Sequence, residues 1–458
     1  MNCRVNRKSL LVYALSWLCV QSSTANLQQL IDQNVFNGLE KEAAEAANST
    51  YSRLKDDAGC EDGFLADPGA LSICTGQTFT LFTNVRELIH TANEIVGSGP
   101  TAFSLGADVD SLGFALRWTA GEEYAAQGNL SSEFIGGQLS GLSGRLTALK
   151  SGASGFSVLG FGRDPNKGYG LDLVPIDSVF NANADAQNGG DEYSRLGGFL
   201  NYDYTDGKRS PTDFEDAFDF ENTVMNLGFD YRLDDNWVAG VVIGFINQEI
   251  DFDGGLSIVD GSIKADGISY MPFAMYQRGD WYISGAIGFQ EMDFDTSRSI
   301  RYPSFNLDSS STDTTAVSET DAKMLSMFFE TGHTFYYQSW AVEPFFGIKY
   351  SDITVDGFVE DDLGNDAFDL VVERQDINSQ EYSFGSKLQY TLTPSFGVFI
   401  PYTTIELVHQ SDDAPRVISA YYAQDPTGNT AFNVPTESLD EFYTVYSIGM
   451  SSVLRGGR

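Results

Sequence analysis

The chain has 458 residues, with 27 Lys and Arg against 64 Asp and Glu, so its formal net charge is −37. That balance excludes a basic face for nucleic acid and a polybasic patch for anionic lipid. An aromatic content of 13% with 46 glycines excludes an acidic disordered chain and points to strands and turns.

Residues 1–25 read as a secretory signal. Arg4, Arg7 and Lys8 precede an apolar run from Leu10 to Val20, and Ser23-Thr24-Ala25 offers small residues for cleavage before Asn26. The run is shorter than the ~20 residues of a membrane-spanning helix. Cys19 lacks the small preceding residue of a lipoprotein site, because Leu18 stands there. Cleavage removes Cys3 and Cys19 and leaves Cys60 and Cys74, which in an oxidising compartment read as a disulfide.

Residues 26–111 carry helical spacing and read as a short, mostly helical region. Phe79, Phe82, Val85, Ile89 and Ile95 recur three to four apart before Gly97-Ser98-Gly99-Pro100. A longer helical segment is predicted over 112–150. It opens with Leu112 and Trp118, and its end shows the stripe Ile135, Leu139, Leu142, Leu146 and Leu149. Gly128, Gly136, Gly137, Gly141 and Gly144 interrupt it, each at a cost of up to about 1 kcal/mol against Ala. Such a helix is either packed very closely or confined by something else. Residues 151–192 are rich in Gly, Asn, Asp and Ser and read as a linker.

Over 193–458 the period becomes two. Thr223, Met225, Leu227, Phe229, Tyr231 and Leu233 alternate with Asn222, Val224, Asn226, Gly228, Asp230 and Arg232. The same split recurs from Trp281 to Gln290 and from Glu381 to Tyr390. Strands of roughly 10 to 17 residues exceed the usual 5–6 and match a membrane strand. Tight turns at Asp234-Asp235-Asn236, Arg278-Gly279-Asp280, Gln338-Ser339 and Thr393-Pro394 alternate with long polar loops near 205–219, 251–265, 292–320, 353–375 and 411–440. Short connections on one side and long ones on the other are the asymmetry of an outer-membrane barrel. Trp237, Trp281, Trp340 and Phe396 each follow a short turn, as rings of one interfacial girdle would. Prolines 272, 344 and 401 lie inside strand patterns and predict bulges. The acidic residues of the loops, such as Asp251 with Asp253, Asp293 with Asp295, and Glu360-Asp361-Asp362, read as a solvated rim or, more sharply, as divalent-cation bridges to the acidic lipid surface.

Several of these segments resemble the autotransporter family of Gram-negative outer-membrane proteins. The likeness begins at Leu112-Gly-Phe-Ala-Leu-Arg-Trp-Thr-Ala-Gly-Glu-Glu-Tyr-Ala-Ala-Gln127. It continues through Leu196-Gly-Gly-Phe-Leu-Asn-Tyr202, Asn226-Leu-Gly-Phe-Asp-Tyr231, Trp237-Val-Ala-Gly240 and the strand motif Glu343-Pro344-Phe345. The resemblance implies a twelve-stranded transmembrane antiparallel β-barrel with a helix threading its pore. It also implies export coupled to membrane insertion, with outer-membrane lipid, lipopolysaccharide, the barrel-assembly machinery and periplasmic chaperones as partners. About ten strands are counted, the last from Phe442 to Leu454, so a final hairpin is expected to be missing.

No G-x-S-x-G elbow, P-loop, zinc-protease motif or C-x-x-C occurs. His90, His333 and His409 could serve a hydrolase with a loop carboxylate such as Asp412, but a lone strand histidine is more simply rim or lumen polarity. The expectation is therefore no enzyme, no cofactor and no metal centre. Beside it stand two alternatives: a channel plugged by the N-terminal helices, and a surface hydrolase of unrecognised type.

Overall fold

The computed structural model describes residues 26–36, 38–61, 73–150, 156–159, 195–212, 214–252, 259–307, 309–393, 397–411, 416–427, 432–436 and 441–454. Among the described residues helices are confined to the N-terminal part: α1 (Asn26–Asp32), α2 (Gly38–Asp56), α3 (Gln77–Val96), α4 (Val109–Trp118) and α5 (Ala125–Lys150). The break predicted at Gly97-Ser98-Gly99-Pro100 is where the sequence placed it. Gly97 closes α3 in the left-handed region (φ 77°), its amide donating to the carbonyls of Asn93 and Glu94. Asp108 opens α4 by accepting from the Ser111 amide at 2.9 Å.

The single helix expected over 112–150 is instead two. α4 stops where the Thr119 hydroxyl turns back onto the Leu116 carbonyl at 2.8 Å. Gly121 then takes a left-handed φ of 68°, and a 3-10 turn, Glu122–Tyr124, leads into α5. Leu112 therefore does not belong with the pore-helix residues; it is buried in the core of the N-terminal helices. Trp118, half-buried, packs against both that core and the one around α5.

The strands are β1 (Phe156–Leu159), β2 (Leu196–Arg209), β3 (Phe218–Arg232), β4 (Trp237–Phe252), β5 (Gly261–Arg278), β6 (Trp281–Tyr302), β7 (Thr312–His333), β8 (Phe335–Tyr337) and β9 (Trp340–Val355). After them come β10 (Phe358–Val359), β11 (Asp361–Asp362), β12 (Leu370–Val372), β13 (Gln375–Tyr390), β14 (Gly397–Gln410), β15 (Val417–Tyr422), β16 (Phe432–Pro435) and β17 (Phe442–Leu454). Ten of them form one antiparallel sheet in the order β2-β3-β4-β5-β6-β7-β9-β13-β14-β17, with β1 laid parallel on the outer edge of β2. α5 packs against seven of these strands, β2 to β7 and β9, which one helix can do only if the sheet curls around it.

Alternation follows the expected faces. On β3 Met225, Leu227, Phe229 and Tyr231 point outward and are exposed, while Val224, Asn226, Gly228 and Asp230 point inward and are buried. On β6 the outward row changes from Trp281, Ile287 and Phe289 to Glu291, Asp293 and Asp295, so the apolar band ends partway up the strand. Two expectations are corrected here. Asp251, Asp293 and Asp295 stand on strands rather than in loops, because β4 reaches Phe252 and β6 and β7 each run for 22 residues. The three prolines make no bulge. The β9–β13 register is continuous through Pro344↔Ser386, and the β14–β17 register through Pro401↔Met450. At Pro272 only the β6 side of the ladder is interrupted, with the same register on either side.

The long connections are not a loose rim either. β10, β12, β15 and β16 pair into a second, four-stranded sheet built from the 353–375 and 411–440 segments. Phe358, Leu370, Val372, Ile418, Tyr422 and Val434 from this sheet join the buried residues of α1 to α4 in one hydrophobic core.

Candidate functional site

The site is the helix-filled interior of the curled sheet together with its covered mouth. α5 has 26 residues, hence a length of about 39 Å at 1.5 Å per residue, enough to traverse a barrel whose apolar band is ~25 Å tall. Its apolar stripe, Phe134, Ile135, Leu139, Leu142, Leu146 and Leu149, is buried against inward residues such as Phe199, Val242, Ile246, Met271, Phe273 and Met324. Among the described residues the interior is thus packed as a protein core. This explains why β4 and β5 carry more apolar residues on the inward face than β3, whose inward row keeps Val224 but also Asn226 and Asp230.

The glycines of α5 have different uses. A Cβ at Gly137 would lie 3.0 Å from a Val224 methyl, and one at Gly141 would lie 2.8 Å from the Asn226 amide nitrogen. These two positions, one helical turn apart, let the β2–β3 wall reach the helix backbone, where Asn226 donates to the Gly137 carbonyl at 3.2 Å. At Gly128 the added carbon would collide with the Arg416 guanidinium.

Polar contacts run down the helix from end to end. Gln248 donates to the Glu133 carboxylate at 3.1 Å, and Gln290 bridges Gln138 at 3.0 Å and Ser326 at 2.8 Å. Arg145 forms a bidentate pair with Asp230 at 2.7 and 3.0 Å, both side chains buried. At the last residue, Lys150 reaches Glu343 at 2.8 Å and lies over the Tyr282 ring at 3.7 Å. Glu343 also accepts from the Thr334 hydroxyl at 3.0 Å, so the acidic residue of the Glu343-Pro344-Phe345 motif meets the end of α5. Phe345 lies against Gly385, where any Cβ would strike its ring.

This end of α5 is the short-turn end of the sheet. Trp237, Trp281 and Trp340 begin β4, β6 and β9 there with outward, exposed side chains. Trp237 and Trp281 flank Tyr276 at centroid distances of 5.0 and 5.9 Å, and Trp340 lies 4.5 Å from Tyr390. Phe396, the fourth member of the predicted girdle, lies outside the described residues.

At the opposite end, the mouth, Arg298 of β6 is fully buried and joins four parts of the chain. It donates to Glu360 from Nε at 2.8 Å and from Nη2 at 2.6 Å, to the Trp118 carbonyl at 3.1 Å and to the Phe368 carbonyl at 3.0 Å. Glu360 also accepts from the Leu370 amide at 2.7 Å and from the Tyr124 hydroxyl. Beside this cluster Arg117 holds Glu122 through two bonds of 2.9 Å. Burial pushes the Glu123 carboxyl up to about 7, with the Arg298 charge opposing it.

Further contacts tie the N-terminal helices to the loops. Arg53 pairs with Asp425 at 2.5 Å, Asn84 donates to the Asp366 carbonyl at 2.6 Å, and Asn306 donates to the Ser104 carbonyl at 2.9 Å. Glu87 of α3 accepts from the Ser310 amide at 3.4 Å, and burial pushes its carboxyl up to about 7. Cys60 and Cys74 are disulfide-bonded, with Cα atoms 5.3 Å apart.

The acidic residues singled out for cation bridging are placed differently. Glu360 is neutralised by Arg298, and Asp362 is buried, accepting from the Thr314 hydroxyl and the Gly364 amide. Asp253 lies outside the described residues, and among those described no group of three His, Cys, Asp or Glu side chains is arranged to hold a metal. The histidines take part in packing. His90 accepts from the Phe103 amide at 3.1 Å, the His333 ring lies tilted against Phe335 at 4.5 Å, and His409 stacks on Phe442. Arg145, Asp230, Arg298 and Tyr124 were missed in the sequence. For Arg145 the available signal was scarcity: in a chain with only 27 Lys and Arg it stands alone in the otherwise apolar or neutral stretch 134–149.

Comparison with known proteins finds a match to the autotransporter beta-domain over residues 198–457. Over 174 residues the chain is 23% identical to the Esterase EstA proteins of Pseudomonas aeruginosa and Pseudomonas putida, a stretch that is 36% of this chain and 25% of each relative. The chain therefore spans about a quarter of the length of the curated relatives it matches. Among solved structures it is similar to the translocator domain of the autotransporter NalP from Neisseria meningitidis, with 14% identity, a TM-score of 0.37, and coverage of 51% of this chain and 70% of that one. It is also similar to the beta domain of the Bordetella autotransporter BrkA, with 11% identity, a TM-score of 0.35, and coverage of 56% and 96%.

Proposed function

The chain belongs to the autotransporter family and is an outer-membrane β-barrel translocator; on that premise we propose that it exports its own N-terminal segment and keeps it displayed at the barrel mouth. In this reading residues 1–25 direct export and are removed, residues 26–118 are carried through, and α5 remains in the pore. One observation carries it. α5 has its first residues at the mouth and its last at Glu343 on the short-turn side, so the chain ahead of it lies beyond the mouth and β2 starts at the opposite end. The bidentate Arg145–Asp230 pair and the Lys150–Glu343 pair hold that register.

No catalytic role is part of the proposal. The esterase name belongs to relatives of which this chain spans about a quarter, and the three histidine rings are engaged in packing or backbone contacts. Assay of intact cells with short-chain nitrophenyl esters should give the rate of cells lacking the protein; a rate above it that vanishes with one Ser or His substitution would restore the hydrolase alternative.

Export itself is tested by labelling. Val35→Cys, at an exposed position, should react with a membrane-impermeant maleimide on intact cells. Labelling only after outer-membrane permeabilisation would mean that the segment stays inside, which would favour the plugged channel. Planar-bilayer conductance supplies the second measurement: the whole chain should conduct weakly, and disruption of α5 packing should raise conductance.

A further inference from the structure

Residues 26–118 bury Leu27, Leu39, Leu54, Phe82, Leu88 and Leu112 in a core that they share with the loops of the barrel. On α2, which also buries Leu39, Tyr51 and Leu54, the residues Ala43, Ala44, Ala46 and Ala47 form a stretch of small side chains. The bulky groups that complete the same core come from elsewhere: Tyr302 at the end of β6, Phe368 and Leu370 near β12, Ile418 and Tyr422 on β15, and Val434 on β16. Phe368 is the hinge of this packing, with its ring 6.2 Å from Tyr302 and 5.9 Å from Tyr422. The loop side leans on the turn that leads into α5 as well, where the Tyr124 ring meets Phe358 of β10 at 4.8 Å. Hydrogen bonds follow the same division. Asn84, Gln77 and Arg53 of the helices take their partners from Asp366, Asn365 and Asp425 of the loops.

We propose that the loops of the barrel are the folding template for the N-terminal segment, so that residues 26–118 reach their native packing only on an assembled barrel. The partner of this loop surface is thus the chain's own N-terminal segment. The consequence for the export reading, on which this inference rests, is directional. Without the loop side of its core the segment is less stable on the inner side, which keeps it open enough to pass. At the mouth it gains apolar burial that it lacked, and this burial opposes its return.

The test uses the full-length chain in cells. Phe368→Ala combined with Tyr422→Ala should leave the barrel assembled, read as unchanged heat-modifiable migration. The same variant should make residues 26–118 on intact cells cleavable at a rate about 100-fold higher, the order expected from removing large buried rings. Unchanged protease resistance with an assembled barrel would overturn the proposal. Should the variant fail to assemble, hydrogen exchange on the wild-type protein decides. The amides of α2 and α3 should share one opening free energy with β12 and β15, and helices that stay protected while those strands exchange freely would overturn it. The two readings fail separately. Absence of surface labelling at Val35→Cys, with helices and loops still exchanging as one unit, would remove export and leave the template in place.

Discussion

Glu360→Gln is the sharpest perturbation that the mouth offers. Glu360 is fully buried and accepts two bonds from Arg298, one from the Leu370 amide and one from the Tyr124 hydroxyl. The amide keeps the shape but removes the charge, and it turns an NH2 group toward donors. Arg298 is left with the carbonyls of Trp118 and Phe368 at 3.1 and 3.0 Å. Breaking one side of a buried pair costs about 3–5 kcal/mol because the remaining charge stays desolvated. For a cooperative unit of roughly 100 residues this lowers the midpoint by on the order of 15 °C. The assay is thermal unfolding of the detergent-solubilised protein followed at the helical circular-dichroism band, with heat-modifiable migration reporting the barrel separately. Arg298→Met with Glu360→Leu removes both charges and should recover most of the loss, to within about 1–2 kcal/mol of wild type. A shift below about 0.5 kcal/mol for Glu360→Gln would refute the reasoning, as would a double variant worse than the single one.

Gly137→Val places a branched side chain where a Val224 methyl is 3.0 Å from the Cβ position, so α5 should lose its seat at a cost of about 1–3 kcal/mol and single-channel conductance should rise; conductance equal to wild type would show that the close approach does not hold the helix. Glu87 titrates near 7 in the folded chain against 4.5 as its ordinary value, so the folded state prefers the proton and its contribution to stability is lost as pH rises from about 4.5 through 7. Discounted for partial exposure, the loss is on the order of 2 kcal/mol, and Glu87→Gln should be less pH-dependent than wild type by that amount; parallel unfolding curves for the two proteins would rule it out. Cys60→Ser with Cys74→Ser should lower the stability of the N-terminal helices by about 3 kcal/mol, read by proteolysis with and without reductant on the wild type; identical digestion of the variant and the oxidised protein would count against a structural staple.

The parts of the fold legible in the sequence were those with a period. Met225-Leu227-Phe229 against Asn226-Gly228-Asp230 announced β3, and the steps from Ile135 to Leu149 announced α5, because each pattern repeats for several turns or residues on one face. The second sheet was illegible because its strands are two to six residues long; Leu370-Val371-Val372 carries too few positions to show a period. Glu360 read as solvated because it stands beside Asp361 and Asp362, and its partner Arg298 is 62 residues away in the chain. The end of α4 was legible in principle. Thr119-Ala120-Gly121 offers a left-handed glycine, but the apolar spacing on either side masked it.

The core shared by helices and loops works as a stopper works on a thread. α5 is the thread, the curled sheet is the ring, and the N-terminal helices with their Cys60–Cys74 bridge are a stopper at one end. Covalent continuity with β2 stops the other end. Pulling on the N-terminal helices therefore loads the barrel wall through Arg145, Lys150 and the start of the sheet rather than drawing the thread out. With the chain intact the thread can slide back only if the stopper unfolds, so the lifetime of the threaded state is set by an unfolding rate and not by a dissociation constant.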